Sequence, residues 1–292
     1  MITNFKLLLQ FSCFLLILIL SFTCYAAEEP PKIGNFALPA SQQPGNLIGF
    51  GQNILEKNQL QSFLLAEYFV GKQEYSIDIV PSITYGITDN FSVVFEAPMT
   101  PRLKENNHHS SGLEDISLQL EYAFFNKSTC NYEDEATIVA GSFFPSGCPN
   151  KTPPTGAGAM SYFLGLTYSR MTPDWIWFTA HGMNLKSSHH GTRFGNQFLY
   201  QFGLGRNICN IDSEWIFAWV AEVDGTFSQK NKILSETDPD SGGNIIYLTP
   251  SLWLSSEKLM LQAGVGFPIA QRLNGTQNRN QYLLVVNLGW TF

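Results

Sequence analysis

From Ile116 onward apolar and polar residues alternate: Ile116, Leu118, Leu120, Tyr122 and Phe124 share one face, while Asp115, Ser117, Gln119, Glu121 and Ala123 share the other. A period of two predicts an extended strand with unlike faces. The same separation sets Tyr75, Ile77, Ile79, Pro81, Ile83, Tyr85 and Ile87 against Ser76, Asp78, Val80, Ser82, Thr84, Gly86 and Thr88. It recurs in Leu259, Leu261, Ala263, Val265, Phe267 and Ile269, and in the last residues, where Tyr282, Leu284, Val286, Leu288, Trp290 and Phe292 oppose Gln281, Leu283, Val285, Asn287, Gly289 and Thr291. Val80, Met260, Leu283 and Val285 are apolar exceptions on the second face. One segment is two-sided: Trp215, Phe217, Trp219, Ala221 and Val223 form an apolar row, yet Ile216, Ala218 and Val220 precede Glu222 and Asp224 on the other. Inward apolar residues of that kind suit the packing of a lumen or a plug.

The pattern predicts twelve strands, near 61–70, 74–88, 90–98, 114–126, 135–145, 159–171, 174–184, 196–208, 213–226, 244–255, 257–270 and 279–292. A soluble sandwich also alternates, so the connections decide. Tight ones fall at Asp89, Thr172-Pro173, Cys209 to Asp212 and Ser256, with a longer one at Ser128 to Asp134. Between them lie the long stretches Met99 to Leu113, Ser146 to Gly158, Leu185 to Gly195, Phe227 to Gly243 and Gln271 to Asn278. Short turns at one rim and long loops at the other are the asymmetry of an outer-membrane barrel with periplasmic termini. Gly71 to Gln73 runs against it, being short where a loop is wanted.

The start of the chain fits this destination. Lys6 precedes an apolar stretch from Leu7 to Leu20, followed by Cys24-Tyr25-Ala26, which reads as a secretory signal peptide over 1–26, cleaved after Ala26. Phe22-Thr23 makes a poor approach for lipid modification of Cys24. Beyond Ala26 the longest apolar run is Trp215 to Ala221, far short of the roughly 20 residues of a spanning helix. An exported chain without such a helix is either soluble or crosses lipid as a closed barrel. Residues 27–59, with Glu28-Glu29-Pro30-Pro31 and later Gly34, Pro39, Pro44 and Gly45, form an extended periplasmic or plug segment ahead of a barrel over 60–292; Leu47 to Leu55 could add a strand.

Charged residues make up 14% of the 292, well below the usual share of about 25%, and the net charge is −7. Without a basic excess, nucleic acid is excluded as a partner. The three cysteines beyond the signal, Cys130, Cys148 and Cys209, predict no disulfide scaffold. Tyr68, Phe91, Tyr122, Phe144, Tyr162, Tyr168, Trp175, Trp253 and Trp290 stand near strand ends, as in interfacial girdles. Tyr282, Leu288, Trp290 and Phe292 read as the C-terminal signal recognised by barrel-insertion machinery.

Several fragments resemble an outer-membrane family named for the MetA pathway of phenol degradation, whose members are transporter-like barrels. They are Tyr85-Gly86-Ile87-Thr88-Asp89-Asn90-Phe91 running into Glu96-Ala97-Pro98, Gly112-Leu113-Glu114-Asp115-Ile116, Phe144-Pro145-Ser146-Gly147, Leu248-Thr249-Pro250-Ser251-Leu252 and Gly264-Val265-Gly266-Phe267-Pro268-Ile269. The resemblance is spread over 45–292 and implies uptake of small, aromatic or apolar compounds. The turn around Cys130 is longer than that family leads one to expect, and the histidine-bearing loops have no counterpart in it.

The candidate lumen-facing residues are Glu67, Asp78, Glu96, Asp115, Glu121, Glu222 and Asp224, with Arg206 and Lys258 as basic counterparts. In a wet lumen the acids would favour cations; in a plugged one they would hydrogen-bond internally. His108-His109 and His189-His190 fall in predicted loops without the spacing of a metal site. His181 on a strand is the one base for a lipid hydrolase, but no Gly-x-Ser-x-Gly elbow accompanies it. The expectation is an all-β, antiparallel, transmembrane barrel in the outer membrane that passes small solutes, contacts outer-membrane lipids and uses no cofactor or metal. A lipid hydrolase and a structural or adhesive surface barrel are the alternatives.

Overall fold

A computed structural model describes residues 30–211 and 214–292; the signal peptide over 1–26 lies outside them. Twelve antiparallel strands close into a barrel. They are β1 (Leu60–Gly71), β2 (Glu74–Thr88), β3 (Phe91–Glu96, resuming as Met99–Glu105), β4 (His108–Leu113, resuming as Ile116–Ser128), β5 (Glu133–Phe144) and β6 (Ser161–Met171). The second half is β7 (Trp175–Lys186), β8 (Gln197–Ile211), β9 (Trp215–Ser228), β10 (Gly243–Ser255), β11 (Leu259–Leu273) and β12 (Asn280–Thr291). Each strand pairs with its sequence neighbours, and β12 returns to β1, from Gln61 opposite Thr291 to Gly71 opposite Asn280. Closure leaves no edge with unpaired backbone groups, the condition for crossing hydrocarbon with strands.

Alternation places the two faces as the sequence predicts. Outward residues such as Leu164 and Phe202 stand 59% and 53% exposed, with Leu118, Leu120, Leu252, Ile269 and Leu288 also on the surface. An apolar exterior of this extent is stable only against lipid.

The stretch from Met99 to Leu113 is not a loop. Beyond a kink at Ala97-Pro98 it continues the ladder as a hairpin turning at Asn106-Asn107, with Glu105 opposite His108 and Lys104 opposite His109. Its alternation is weak because it stands above the membrane, where both faces meet water. His108 and His109 are therefore strand residues. The other histidine pair, His189 and His190, sits at a small ladder of two-residue segments joining two loops, Ser188–His189, Thr192–Arg193, Lys232–Ile233 and Glu236–Thr237. Among the described residues no group of His, Cys, Asp or Glu is arranged to hold a metal ion, and Cys130, Cys148 and Cys209 are free.

Trp253 departs from the girdle expectation. It points inward, 5% exposed, and donates its indole N–H to Ser255 Oγ at 2.8 Å. What it packs against lies inside the barrel.

Candidate functional site

Residues 30–59 occupy the periplasmic half of the lumen. Two short 3-10 turns, Gly34–Ala37 and Ala40–Gln42, carry Phe36 and Leu38 against the inner wall. Phe36 packs with Met171, Ile176, Phe178 and Val220, and Leu38 with Ile216, Ala218, Trp253 and Met260. The inward apolar residues of β9, together with Met260 and Trp253, are thus the seat of this segment. Each fully buried side chain there contributes about 1.5–3 kcal/mol. Asn35 N–H donates to Pro173 O at 2.7 Å, Ser255 Oγ to Gln42 O at 2.7 Å and Asn210 Nδ2 to Gly34 O at 2.9 Å, which joins the base to the periplasmic rim. The segment from Leu47 to Leu55 forms no strand, so the barrel count stays even.

The chain rises to an apex at Leu47 to Asn53 and returns to β1. Two luminal carboxylates hold that apex. Glu222 accepts from Leu47 N–H at 2.7 Å, Ile48 N–H at 3.3 Å and Gln201 Nε2 at 2.8 Å. Glu121 accepts from Asn53 N–H at 2.9 Å, Asn53 Nδ2 at 2.8 Å and Gln119 Nε2 at 2.7 Å. Both side chains are 0% exposed. Three N–H donors apiece, rather than a basic partner, satisfy these charges. The apex is tight: a Cβ on Gly49 would stand 1.9 Å from Gln201 Oε1, and Gly51 turns at φ +74°, a conformation natural to glycine.

Above the apex the lumen is open. A two-lobed extracellular mouth has cavities of about 770 and 670 Å³ that share Asn231, Gln277 and Asn280. Glu114, Asp115 and Lys186 line the first lobe; Glu74, Glu105, Asp238 and Asp240 line the second. Beneath it lies a chamber of about 280 Å³ that shares Phe143, Gln197 and Thr226 with the mouth. The chamber in turn shares Gly49, Asn53 and Glu96 with a crevice of about 110 Å³ between the apex and the wall formed by Phe63, Val80, Thr84 and Val94.

The other predicted acids line this upper region. Asp78 accepts from Ser76 Oγ at 2.6 Å and lies 2.6 Å from Thr100 Oγ1. Glu96 accepts from Ser117 Oγ at 2.7 Å. Asp224 accepts from Gln201 Nε2 at 2.7 Å and Thr249 Oγ1 at 3.2 Å. Glu67 lies within electrostatic reach of Asp78, Glu114 and Glu96. Asp115 accepts from Gly147 N–H at 3.1 Å and Ala157 N–H at 2.8 Å, tethering the loop over 145–160 to the mouth.

Two predicted luminal bases are not luminal. Arg206 shares its face with Phe202 and Leu204, and its guanidinium lies 5.1 Å over the outward Trp175 ring. Near the periplasmic rim a long cationic side chain reaches the headgroups while its stem covers apolar surface. Lys258 is exposed in the turn between β10 and β11, where its carbonyl accepts from Thr291 N–H at 2.8 Å. Among the described residues the base that lines the mouth is Lys186, whose ammonium lies 5.6 Å from the Phe143 ring. It has the parity of Asn184, which faces inward, but stands two residues beyond the predicted end of its strand. Glu114, Gln201 and Phe50 also belong to the site; none lies on a charged row that alternation isolates. On β12, Leu288, Trp290 and Phe292 are exposed with Tyr282 partly covered on the same outer face.

No family model and no curated protein matches the sequence. The fold is similar to the crystal structure of the COG4313 outer membrane channel from Pseudomonas putida F1, with a TM-score of 0.70 and 13% identity over 86% of this chain and 99% of that one. The NanC porin superposes at a TM-score of 0.49, with 12% identity over 78% of this chain and 98% of that one, too loosely to carry weight. At such identities the likeness concerns architecture, and by its architecture the chain is a twelve-stranded barrel of the outer-membrane type.

Proposed function

We propose that this protein is an outer-membrane channel that admits small solutes by passive diffusion and prefers cations. The carrying observation is the sequence of mouth, chamber and crevice, in which each cavity shares lining residues with the next and Glu96 stands in the last two. Carboxylates outnumber bases along it, and fixed negative charge at close quarters favours cations. Phe50, Phe143 and Phe163 give the chamber apolar walls, in keeping with the resemblance to transporter-like barrels for aromatic or apolar compounds. The lodged segment over 30–59 sets the resistance of the route.

Reversal potentials in a salt gradient across planar bilayers, together with liposome swelling, test the proposal. Cation preference near neutral pH and swelling with small neutral solutes support it; anion preference rejects its electrostatic part, and the absence of any flux rejects the channel. The hydrolase alternative rests on His181, which faces lipid 3.2 Å from Thr179 Oγ1. That hydroxyl donates to Gln201 O at 2.8 Å, however, and so keeps its proton away from the imidazole. Phospholipid release abolished by His181→Ala would favour the hydrolase.

A further inference from the structure

The chamber above the apex has a chemical character of its own. Its volume of about 280 Å³ lies near the lower limit for small-molecule sites. One part of its lining is apolar, with Ile48 and Phe50 of the lodged segment, Phe143, Phe163 and Leu199; Phe50 meets Phe163 edge to face at 4.6 Å. Much of the rest is polar, and several of its amide donors already serve carboxylates. Gln201 Nε2 serves Glu222 and Asp224, Gln119 Nε2 serves Glu121, and Asn53 Nδ2 serves Glu121. Because carboxylates accept and do not donate, these bonds fix which way the Gln201 and Gln119 amides face.

The wall also carries negative charge. Two carboxylates, Glu96 and Asp224, line the same space, and among the described residues no lysine or arginine does. A carboxylate beside apolar walls favours a ligand that brings a positively charged N–H donor, since hydrogen bonds between ionised groups are the strong ones. A positive charge is also favoured by the faces of phenyl rings.

We infer that this chamber binds a small organic cation, an ammonium group carried on a compact apolar body. The ammonium is held by Glu96, with Asp224 adding to the negative field, and the body lies among the three phenyl rings. Phe50 and Ile48 belong to the lodged segment, so an occupant rests directly on the apex. Lys186, on the mouth side of Phe143, is the cation an incoming ammonium must pass. The assignment refines the cation-preferring channel proposed above and depends on it for its biological sense, while the binding itself is separable.

Calorimetry on the full mature chain in detergent, with phenethylammonium, 2-phenylethanol and phenylacetate as probes of one body and three charges, tests the assignment. The ammonium should saturate a single site at least tenfold more tightly than the alcohol, and phenylacetate should not bind. Glu96→Gln should weaken the ammonium about tenfold, equivalent to about 1.4 kcal/mol, and leave the alcohol unchanged. Lys186→Met should tighten the ammonium, a gain that misfolding cannot produce, and retention of the heat-modifiable mobility shift confirms folding of both variants. Equal affinity for alcohol and ammonium, or an unchanged Glu96→Gln, overturns the inference. Swelling by a neutral sugar in the same preparations separates the two proposals. Flux without ammonium preference removes this inference and leaves the channel, whereas ammonium binding without any flux supports the chamber and removes the channel.

Discussion

The two halves of the lumen are built from the same twelve strands and solve opposite problems. In the periplasmic half, Phe36, Leu38, Trp253, Ile216 and Met260 pack as a protein core, with a crevice of about 80 Å³ lined by Ala40, Pro44 and Glu135 between segment and wall. In the extracellular half, a cavity of about 770 Å³ is bordered by Glu114, Asp115 and Lys186. Glu121 and Glu222 stand at the boundary. They have the chemistry of the upper half and are used as the lower half needs, to receive backbone N–H groups. A carboxylate on an inner wall is therefore not a charge offered to solutes until its partners are known.

Removing the contrast altogether gives the largest expected effect. A chain lacking residues 30–55 should insert and close, since the β1–β12 ladder does not use them, and its conductance should rise several-fold in planar bilayers. Unchanged conductance would mean that the lodged segment does not limit the route. The outer surface supplies the control, because both halves share it. Leu166→Arg places a cation on the lipid face midway along β6, and should cost roughly 2–4 kcal/mol in a lipid refolding titration while single-channel current in folded molecules stays the same.

Loosening the boundary should cost less and act differently. Glu222→Ala leaves the Leu47 and Ile48 N–H groups without acceptors, at about 1–3 kcal/mol for each buried one. Most of that cost falls on the segment rather than the barrel. The expected signature is flickering conductance and proteolysis within 30–59, with the barrel's mobility shift intact. Should the mutant stay quiet and protease-resistant, the apolar seat of Phe36 and Leu38 alone would hold the segment.

Where the sequence is legible, one physical rule covers the position. Lipid outside and water inside divide neighbouring residues, so β2, β4, β11 and β12 show their alternation and their parity. The apolar exceptions carry a second message. Val220, Ile216, Ala218 and Met260 break the polar row because the lodged segment, not water, faces them; Val80 borders the crevice beside the apex. The rule fails where its premise does. Above the membrane, Met99 to Leu113 has water on both faces, and its strands read as a loop. The charge of Arg206 suggests the lumen, whereas its parity with Phe202 and Leu204 points outward, and at the rim a guanidinium can satisfy both lipid and water. The destination of residues 30–59 is not carried by any periodicity, since an irregular segment is held by single hydrogen bonds to distant strands.

The smallest effect concerns acidity in the mouth. Glu114 sits at the break between the extension of β4 above the membrane and its spanning part, with its carboxyl receiving the Thr100 hydroxyl. Burial raises its pKa above the ordinary 4.5, the Thr100 bond opposes this, and nearby Asp78 raises it further. A raised carboxyl pKa means that the proton is taken up earlier as pH falls. The mouth therefore loses negative charge before exposed glutamates titrate, and cation preference should begin to decline at a pH above the usual carboxylate range. Glu114→Gln should start with a slightly lower preference at neutral pH and show a flatter decline, measured as reversal potential against pH. If wild type and variant follow the same curve, the charge that matters lies deeper, at Glu96 and Asp224, and the upper half would itself divide into a permissive mouth and a selective chamber.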